Sequence, residues 1–246
     1  VVIAIDNKAP DYWRSDVFPL YKSNRKKARD KSTMDWKLFS KLFHLIKAEL
    51  KANFPYVCID LPRVEADDII AILTRRSSPH EEVMILSADK DMIQIQEKCR
   101  NKNVKQYSPK TRKLLNVTNS DYDLFVHYIK GDSSDGIPNI LSDEDVFMCE
   151  EKRQKSVRKP FIEEMRDRMK DERLLDYVMS PCSTDDDMIV KFKRNVKLVD
   201  IDFIPDEIQQ SIITEYQSVK DSTNNNVYKY LLQHRMKLLM QRVGDF

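Results

Sequence analysis

Three short apolar runs mark the first third of the chain: Val1-Val2-Ile3-Ala4-Ile5 ending at Asp6, Tyr56-Val57-Cys58-Ile59, and Val83-Met84-Ile85-Leu86. Runs of this length, apolar on both faces and rich in β-branched residues, predict strands covered by helices on both sides. Between the first two, Leu38, Leu42, Phe43, Ile46 and Leu50 recur every three or four residues. That spacing predicts a helix, with Ser32 or Thr33 as its cap. Glu65 to Arg75 predicts another, with Ile69, Ile70 and Leu73 facing inward. Strand, helix, strand, helix, strand predicts an α/β fold with a mainly parallel sheet flanked by helices. Two further short strands are expected around Val104–Tyr107 and Leu114–Val117.

The pattern changes near residue 118. Asp121–Lys130 predicts a helix with Leu124, Phe125, Tyr128 and Ile129 on its apolar side. Residues 150–178 are strongly charged and read as helical, as do Glu207–Val219 and Val227–Val243. The strand candidates here are Met188–Phe192 and Val196–Val199. The expected organisation is an α/β core over 1–118 and a mainly helical domain over 119–246. Residues 17–33 carry few apolar groups and many cations, so they bury little to offset their ordering entropy. They are expected to be mobile until nucleic acid binds.

The chain has 246 residues, 41% hydrophobic and 33% charged, with a formal charge of only +2. Partner choice therefore rests on local charge. Lys22, Arg25, Lys26, Lys27, Arg29 and Lys31 share a segment with one acid, Asp30, and Lys152-Arg153-Gln154-Lys155-Ser156-Val157-Arg158-Lys159 holds no acid. Such blocks suit a phosphate backbone, or simply solvated helix faces. Three glycines exclude a Gly-rich phosphate cradle, and with it P-loop and Rossmann readings. The four cysteines (Cys58, Cys99, Cys149, Cys182) lack metal or disulfide-framework spacing, so reduced thiols in a cytosolic protein are expected. No apolar run reaches the roughly 18 residues a membrane span needs. The chain opens without Met inside an apolar run, and a preceding N-terminal piece is expected.

Three acidic clusters carry the chemistry: Val64-Glu65-Ala66-Asp67-Asp68, Ser87-Ala88-Asp89-Lys90-Asp91 and Gly131-Asp132-Ser133-Ser134-Asp135. Alone, the first is an acidic helix start, the second a turn and the third a helix cap. Together, each beyond a strand or at a helix junction, they predict carboxylates meeting at the carboxyl ends of strands, with Asp6 among them. Two carboxylates about 4 Å apart repel by about 1 kcal/mol in water and about 4 at an effective dielectric of about 20. Divalent cations relieve this, and all-oxygen ligands favour magnesium or manganese over zinc. His44, His80, His127 and His234 show no ligand spacing and are expected on the surface or in the core. Asp185-Asp186-Asp187 reads as a loop or helix cap.

These three clusters, the last extended as Lys130-Gly131-Asp132-Ser133-Ser134-Asp135-Gly136-Ile137-Pro138, resemble the acidic motifs of the 5′-nuclease (flap endonuclease) superfamily, and most of all its T-even-type bacteriophage RNase H branch. Asp6-Asn7, Tyr12-Trp13-Arg14, Tyr21-Lys22-Ser23-Asn24-Arg25 and Val199-Asp200-Ile201-Asp202-Phe203-Ile204-Pro205-Asp206 extend the likeness over nearly the whole chain. The resemblance implies a PIN-like nuclease core with a basic arch over 17–33 and a helix-hairpin-helix-like DNA-binding domain. It implies a 5′→3′ exonuclease and flap endonuclease with RNase H activity, removing RNA primers and 5′ flaps in phage replication in the host cytoplasm. By resemblance Asp6, Asp67 and Asp89 hold a first magnesium, and Glu65, Asp68, Asp91, Asp132 and Asp135 a second or its waters, with manganese as a substitute. Lys22 and Arg25 match arch residues that touch the scissile phosphate; Tyr21, Lys26, Lys27, Arg29, Lys152, Arg153, Lys155, Arg158 and Lys159 are expected to contact nucleic acid. Implied partners are DNA and RNA–DNA duplexes with 5′ ends or flaps, a single-stranded DNA-binding protein and a sliding clamp, bound by a monomer. The chain departs from the family in lacking its leading Asp before Val1 and its Gly-Ile-Gly hairpin after Leu141. A non-catalytic structure-specific DNA-binding protein and a PIN-like ribonuclease stay open as alternatives.

Overall fold

A computed structural model describes residues 1–77, 79–99, 103–115, 120–168, 187–221 and 225–246. In chain order the elements are β1 (Val2–Ala4), α1 (Arg14–Val17), α2 (Asn24–Asp30), α3 (Trp36–Asn53), β2 (Val57–Ile59), α4 (Ala66–Arg76), β3 (Glu82–Leu86), α5 (Ile93–Lys98), β4 (Asn103–Ser108) and β5 (Lys113–Leu115). They continue as α6 (Ser120–Lys130), α7 (Lys159–Arg168), α8 (Asp187–Val199), α9 (Asp206–Val219), α10 (Val227–Gln233) and α11 (Lys237–Met240). All three apolar runs are strands, and both further strand predictions fall on β4 and β5; residues 116 and 117 lie outside the described residues.

Among the described residues the strands form two ladders. β1 pairs parallel with β2, in register Ile3↔Cys58. β3 pairs parallel with β4, in register Ile85↔Gln106, and β5 returns antiparallel on β4. The α/β class and the mainly parallel pairing are as expected; which strands pair is not specified by apolar runs of this length.

Contacts divide the chain into two units that interleave in sequence. The first holds Val1–Asp11, Ser32–Leu73 and Asp206–Phe246; the second holds Tyr12–Lys31 and Thr74–Pro205. In the first, α3 and α9 pack on β2. Buried Phe54, Val227 and Leu231 gather Leu50, Tyr56, Tyr230, Met240, Val243 and Phe246. Helix α3 is capped by Asp35, which accepts from the Lys37 and Leu38 N–H groups at 3.0 Å, not by Ser32 or Thr33. Leu38, Leu42 and Ile46 on α3 stay about half exposed despite their periodicity. In α4, Ile69 and Ile72 are buried, while Ile70 and Leu73 are half-buried.

In the second unit, α6 packs on α8 around buried Tyr128, Ile129, Ile140, Ile162, Met165, Phe192 and Val196. A second cluster joins Tyr12, Phe18, Tyr21, Ile137 and Leu198. Residues 17–31 therefore bury Phe18 and Tyr21 and form α2, where the sequence suggested a segment with little to bury. Met188–Phe192 and Val196–Val199 are one helix, α8, not strands. Met188, Phe192, Val196 and Val199 stand four, four and three apart, and Lys191 Nζ pairs with Asp187 one turn earlier at 2.5 Å. Asp187 opens that helix; Asp185 and Asp186 lie outside the described residues. Among the described residues of the charged stretch, α7 is helical and residues 151–158 are irregular; residues 169–178 lie outside the described set. Val227–Val243 breaks after Gln233, with Arg235 at φ 55°.

Candidate metal centre and nucleic-acid contacts

In the first unit β1 leads directly to Asp6. Its Oδ1 accepts the Ala66 N–H at 2.7 Å, at the start of α4, where a helix N-terminus favours an anion. The Asn7 N–H donates to the Val64 carbonyl at 3.0 Å, tying the two segments together. Asp68 Oδ2 accepts the Glu65 N–H at 3.2 Å. Glu65 is 3% exposed and Asp68 0%, while Asp67 is half-buried. One helix start thus gathers Asp6, Glu65, Asp67 and Asp68.

In the second unit β3 delivers Asp89. Ser87 Oγ accepts the Asp89 N–H at 3.1 Å, and Asp89 Oδ1 accepts the Asp91 N–H at 3.0 Å, opening a tight turn over Lys90–Met92. Gln106, buried on β4, clamps this loop: its Nε2 donates to the carbonyls of Ser87 at 3.0 Å and Asp89 at 2.6 Å. Helix α6 ends at Gly131, whose N–H donates to the His127 carbonyl at 2.8 Å and whose φ is +64°. A Cβ there would lie 2.3 Å from the Ile137 oxygen, so only glycine lets the loop close. Asp132 and Ile137 then exchange backbone hydrogen bonds of 2.9 and 2.7 Å. Asp132 Oδ1 accepts from both the N–H and the hydroxyl of Ser134 at 2.7 Å. Beneath the loop, the buried Asn195 amide donates to the Tyr128 and Pro138 carbonyls at 2.9 and 3.0 Å.

This places Asp91, His127 and Asp132 together, with one ligand atom of each within 4.8 Å of the others. His127 Nδ1 is 3.7 Å from Asp91 Oδ1, and Nε2 is 3.6 Å from Asp132 Oδ2. Burial pushes the Asp91 carboxyl up to about 6; Asp89, Asp132 and Asp135 add to the rise and His127 opposes it. Burial would likewise raise Asp132, but hydrogen bonds from His127 and Ser134 hold it well below the usual carboxylate range. For His127, burial disfavours the cation, yet the Asp132 hydrogen bond and the neighbouring carboxylates raise its pKa above the ordinary value. Anions held this close call for a cation.

Residues 21–25 meet the same loop. Asp135 accepts from Tyr21 Oη at 3.0 Å and pairs with Lys22 Nζ at 3.5 Å and Arg25 Nη2 at 2.5 Å. The Lys22 N–H donates to the Asp135 carbonyl at 2.7 Å, and the Lys22 ammonium stands 5.2 and 5.1 Å from the Tyr12 and Tyr21 rings. Asn24 Nδ2 donates to the Ser133 carbonyl at 2.7 Å. Lys26 and Arg29 are exposed, and Lys27 Nζ donates to the Met148 carbonyl. In the second basic block Lys152 pairs with Asp145 at 2.6 Å and Asp143 at 3.3 Å, whereas Arg153, Lys155, Arg158 and Lys159 are exposed.

Of the residues expected at the site, Asp6, Glu65, Asp67 and Asp68 thus belong to the first unit. Asp89, Asp91, Asp132, Asp135, Tyr21, Lys22 and Arg25 belong to the second. His127 corrects the sequence expectation: it is neither an idle surface group nor a core histidine but sits between two of the acids. Its only sequence signal is its place in the turn before Gly131-Asp132. Gln106 carried no signal at all, since a strand glutamine reads as a solvated position.

Comparison with known proteins bears on this arrangement. The family described as 5′-3′ exonuclease, N-terminal resolvase-like domain, matches residues 1–122, and that described as T4 RNase H, C terminal, matches residues 118–246. Ribonuclease H of Enterobacteria phage T4 is 30% identical over 251 residues, spanning 100% of this chain and 79% of that protein. A 5′-3′ exonuclease of Buchnera aphidicola is 32% identical over 146 residues, covering 56% of this chain and 47% of its own length. In fold, the T5 D15 protein co-crystallised with metal ions aligns with a TM-score of 0.56 at 18% identity, over 87% of this chain and 83% of that one.

Proposed function

Since the chain belongs to the 5′-3′ exonuclease family in its phage T4 ribonuclease H form, we propose that it is a metal-dependent 5′→3′ exonuclease and flap endonuclease. Its proposed substrates are DNA and RNA–DNA duplexes with 5′ ends or flaps, and its proposed task is primer removal in phage replication in the host cytoplasm. A single-stranded DNA-binding protein and a sliding clamp are its proposed partners.

The observation that carries this reading is the Asp91–His127–Asp132 group, with Asp89 beside it and the Lys22 and Arg25 cations one residue pair away on Asp135. The donors fit a divalent cation: burial, with the neighbouring carboxylates adding to it, keeps Asp91 from ionising in the ordinary range, which a bound cation reverses. Asp89 and Asp91 are the proposed ligands in the second unit, with Asp132 acting through the ion's waters, and Asp6, Glu65, Asp67 and Asp68 supply oxygen donors in the first. Magnesium, with manganese as substitute, would activate water and stabilise the leaving oxygen when bound. Asp135 gives its carboxylate to three donors and is proposed to hold the arch, not an ion. Lys22 and Arg25 are proposed to meet the scissile phosphate, where charge develops in the transition state. Ser134, Gln106 and Asn195 fix the carboxylate loops.

Cleavage of a 5′-flapped, RNA-primed duplex in magnesium tests the reading. Asp91→Asn should cut turnover at least about 100-fold, the scale of losing one electrostatic group. Equal cleavage of blocked 5′ ends, or Asp91→Asn as active as the parent, would overturn it.

A further inference from the structure

We infer that His127 is a direct nitrogen ligand of the cation at Asp91, which shifts this centre toward manganese relative to an all-oxygen centre. The inference rests on the metal-dependent reading above and adds to it a donor type.

Both ring nitrogens of His127 face carboxylates, at 3.7 and 3.6 Å. A neutral imidazole has one N–H, so one nitrogen turns a lone pair toward an anion. With His127 neutral and Asp91 ionised, a cation between them makes that orientation favourable. The hydrogen bonds say which side is open. Asp132 Oδ1 is taken by the Ser134 N–H and hydroxyl, each at 2.7 Å, and its Oδ2 faces Nε2. Asp132 therefore receives Nε2–H and fixes the tautomer. Nδ1 and Asp91 Oδ1 are left as two lone-pair donors facing each other. Two donors about 2.1 Å from one ion stand at most about 4.2 Å apart, so 3.7 Å lies within the span of a shared ion. A carboxylate holding the far ring N–H is also how metal-binding histidines are oriented. Magnesium favours oxygen donors and keeps its waters; imidazole suits later divalent metals better, with manganese nearest in size and geometry.

Pulsed electron paramagnetic resonance on the protein loaded with Mn2+ alone reads the first coordination sphere directly. The parent protein should show a 14N coupling that becomes a 15N coupling on labelling with 15N-histidine. His127→Gln and His127→Asp should still bind Mn2+ but lose that coupling, and in competition titration the Mn2+ over Mg2+ preference should fall at least about tenfold. Bound Mn2+ with no histidine nitrogen coupling, or a coupling that survives in both variants, would overturn the inference while leaving the metal-dependent reading intact. Failure of the parent to bind Mn2+ at all would overturn both.

Discussion

Asp91 is an anion placed where the folded protein resists its charge. Its carboxyl titrates near 6, against an ordinary value of 3.8, chiefly through burial. In the metal-free protein the folded state therefore keeps a proton that the unfolded state has lost. The resulting stability is full below pH 4 and is lost as pH rises through 6. The side chain is 40% exposed, so solvent screens the penalty to about 1 kcal/mol, or about 2–4 °C in Tm. With a chelator present, Asp91→Asn should raise Tm by that amount at pH 8 and leave it almost unchanged at pH 4. Calorimetry at the two values checks it. His127, also raised, loses its charge over the rising limb and strengthens the same trend. None of this was legible from spacing: residues 91, 127 and 132 follow no metal-binding interval, and only the folded turn after α6 brings the ring between the acids.

At the scale of elements, periodicity carried far and failed for definable reasons. The three apolar runs and the helices over 36–53, 66–76, 120–130 and 206–219 were readable because one face or both faces are apolar. Pairing was not readable, because β1 and β3 are equally apolar and nothing in either names its neighbour. Helix α8 was misread because Ile189, Val190, Val196 and Val199 are β-branched, and local preference hid a four-residue repeat. The break after Gln233 carries no Gly or Pro and was invisible. The turn after α6, by contrast, was readable, since two of the chain's three glycines flank it. Gly131→Ala must adopt φ +64° and press a Cβ against the Ile137 and Pro138 oxygens. Urea denaturation should show a loss of about 2 kcal/mol or more. Gly136→Ala, whose Cβ would meet Asn24 Oδ1 at 3.0 Å, should cost less, because that neighbour is a side chain.

For the whole molecule, a net charge of +2 leaves binding to local cations. Lys155 and Arg158 are exposed on the irregular stretch leading into α7, and the exposed Lys159 opens that helix. On the proposed reading each neutralises one phosphate and contributes roughly −0.9 to the log–log salt slope. Changing all three to Ala should lower the slope on duplex DNA by about 2–3, with cleavage at saturating substrate little changed; fluorescence anisotropy across a salt series checks it.

Lys22 and Arg25 should behave differently, because Asp135 has already answered their charge from inside the protein. A backbone that takes hold of them evicts an internal carboxylate in place of dissolved chloride. On the proposed reading, that swap of one anion for another would be nearly blind to ionic strength, and it would leave Asp135 bare beside the bound backbone.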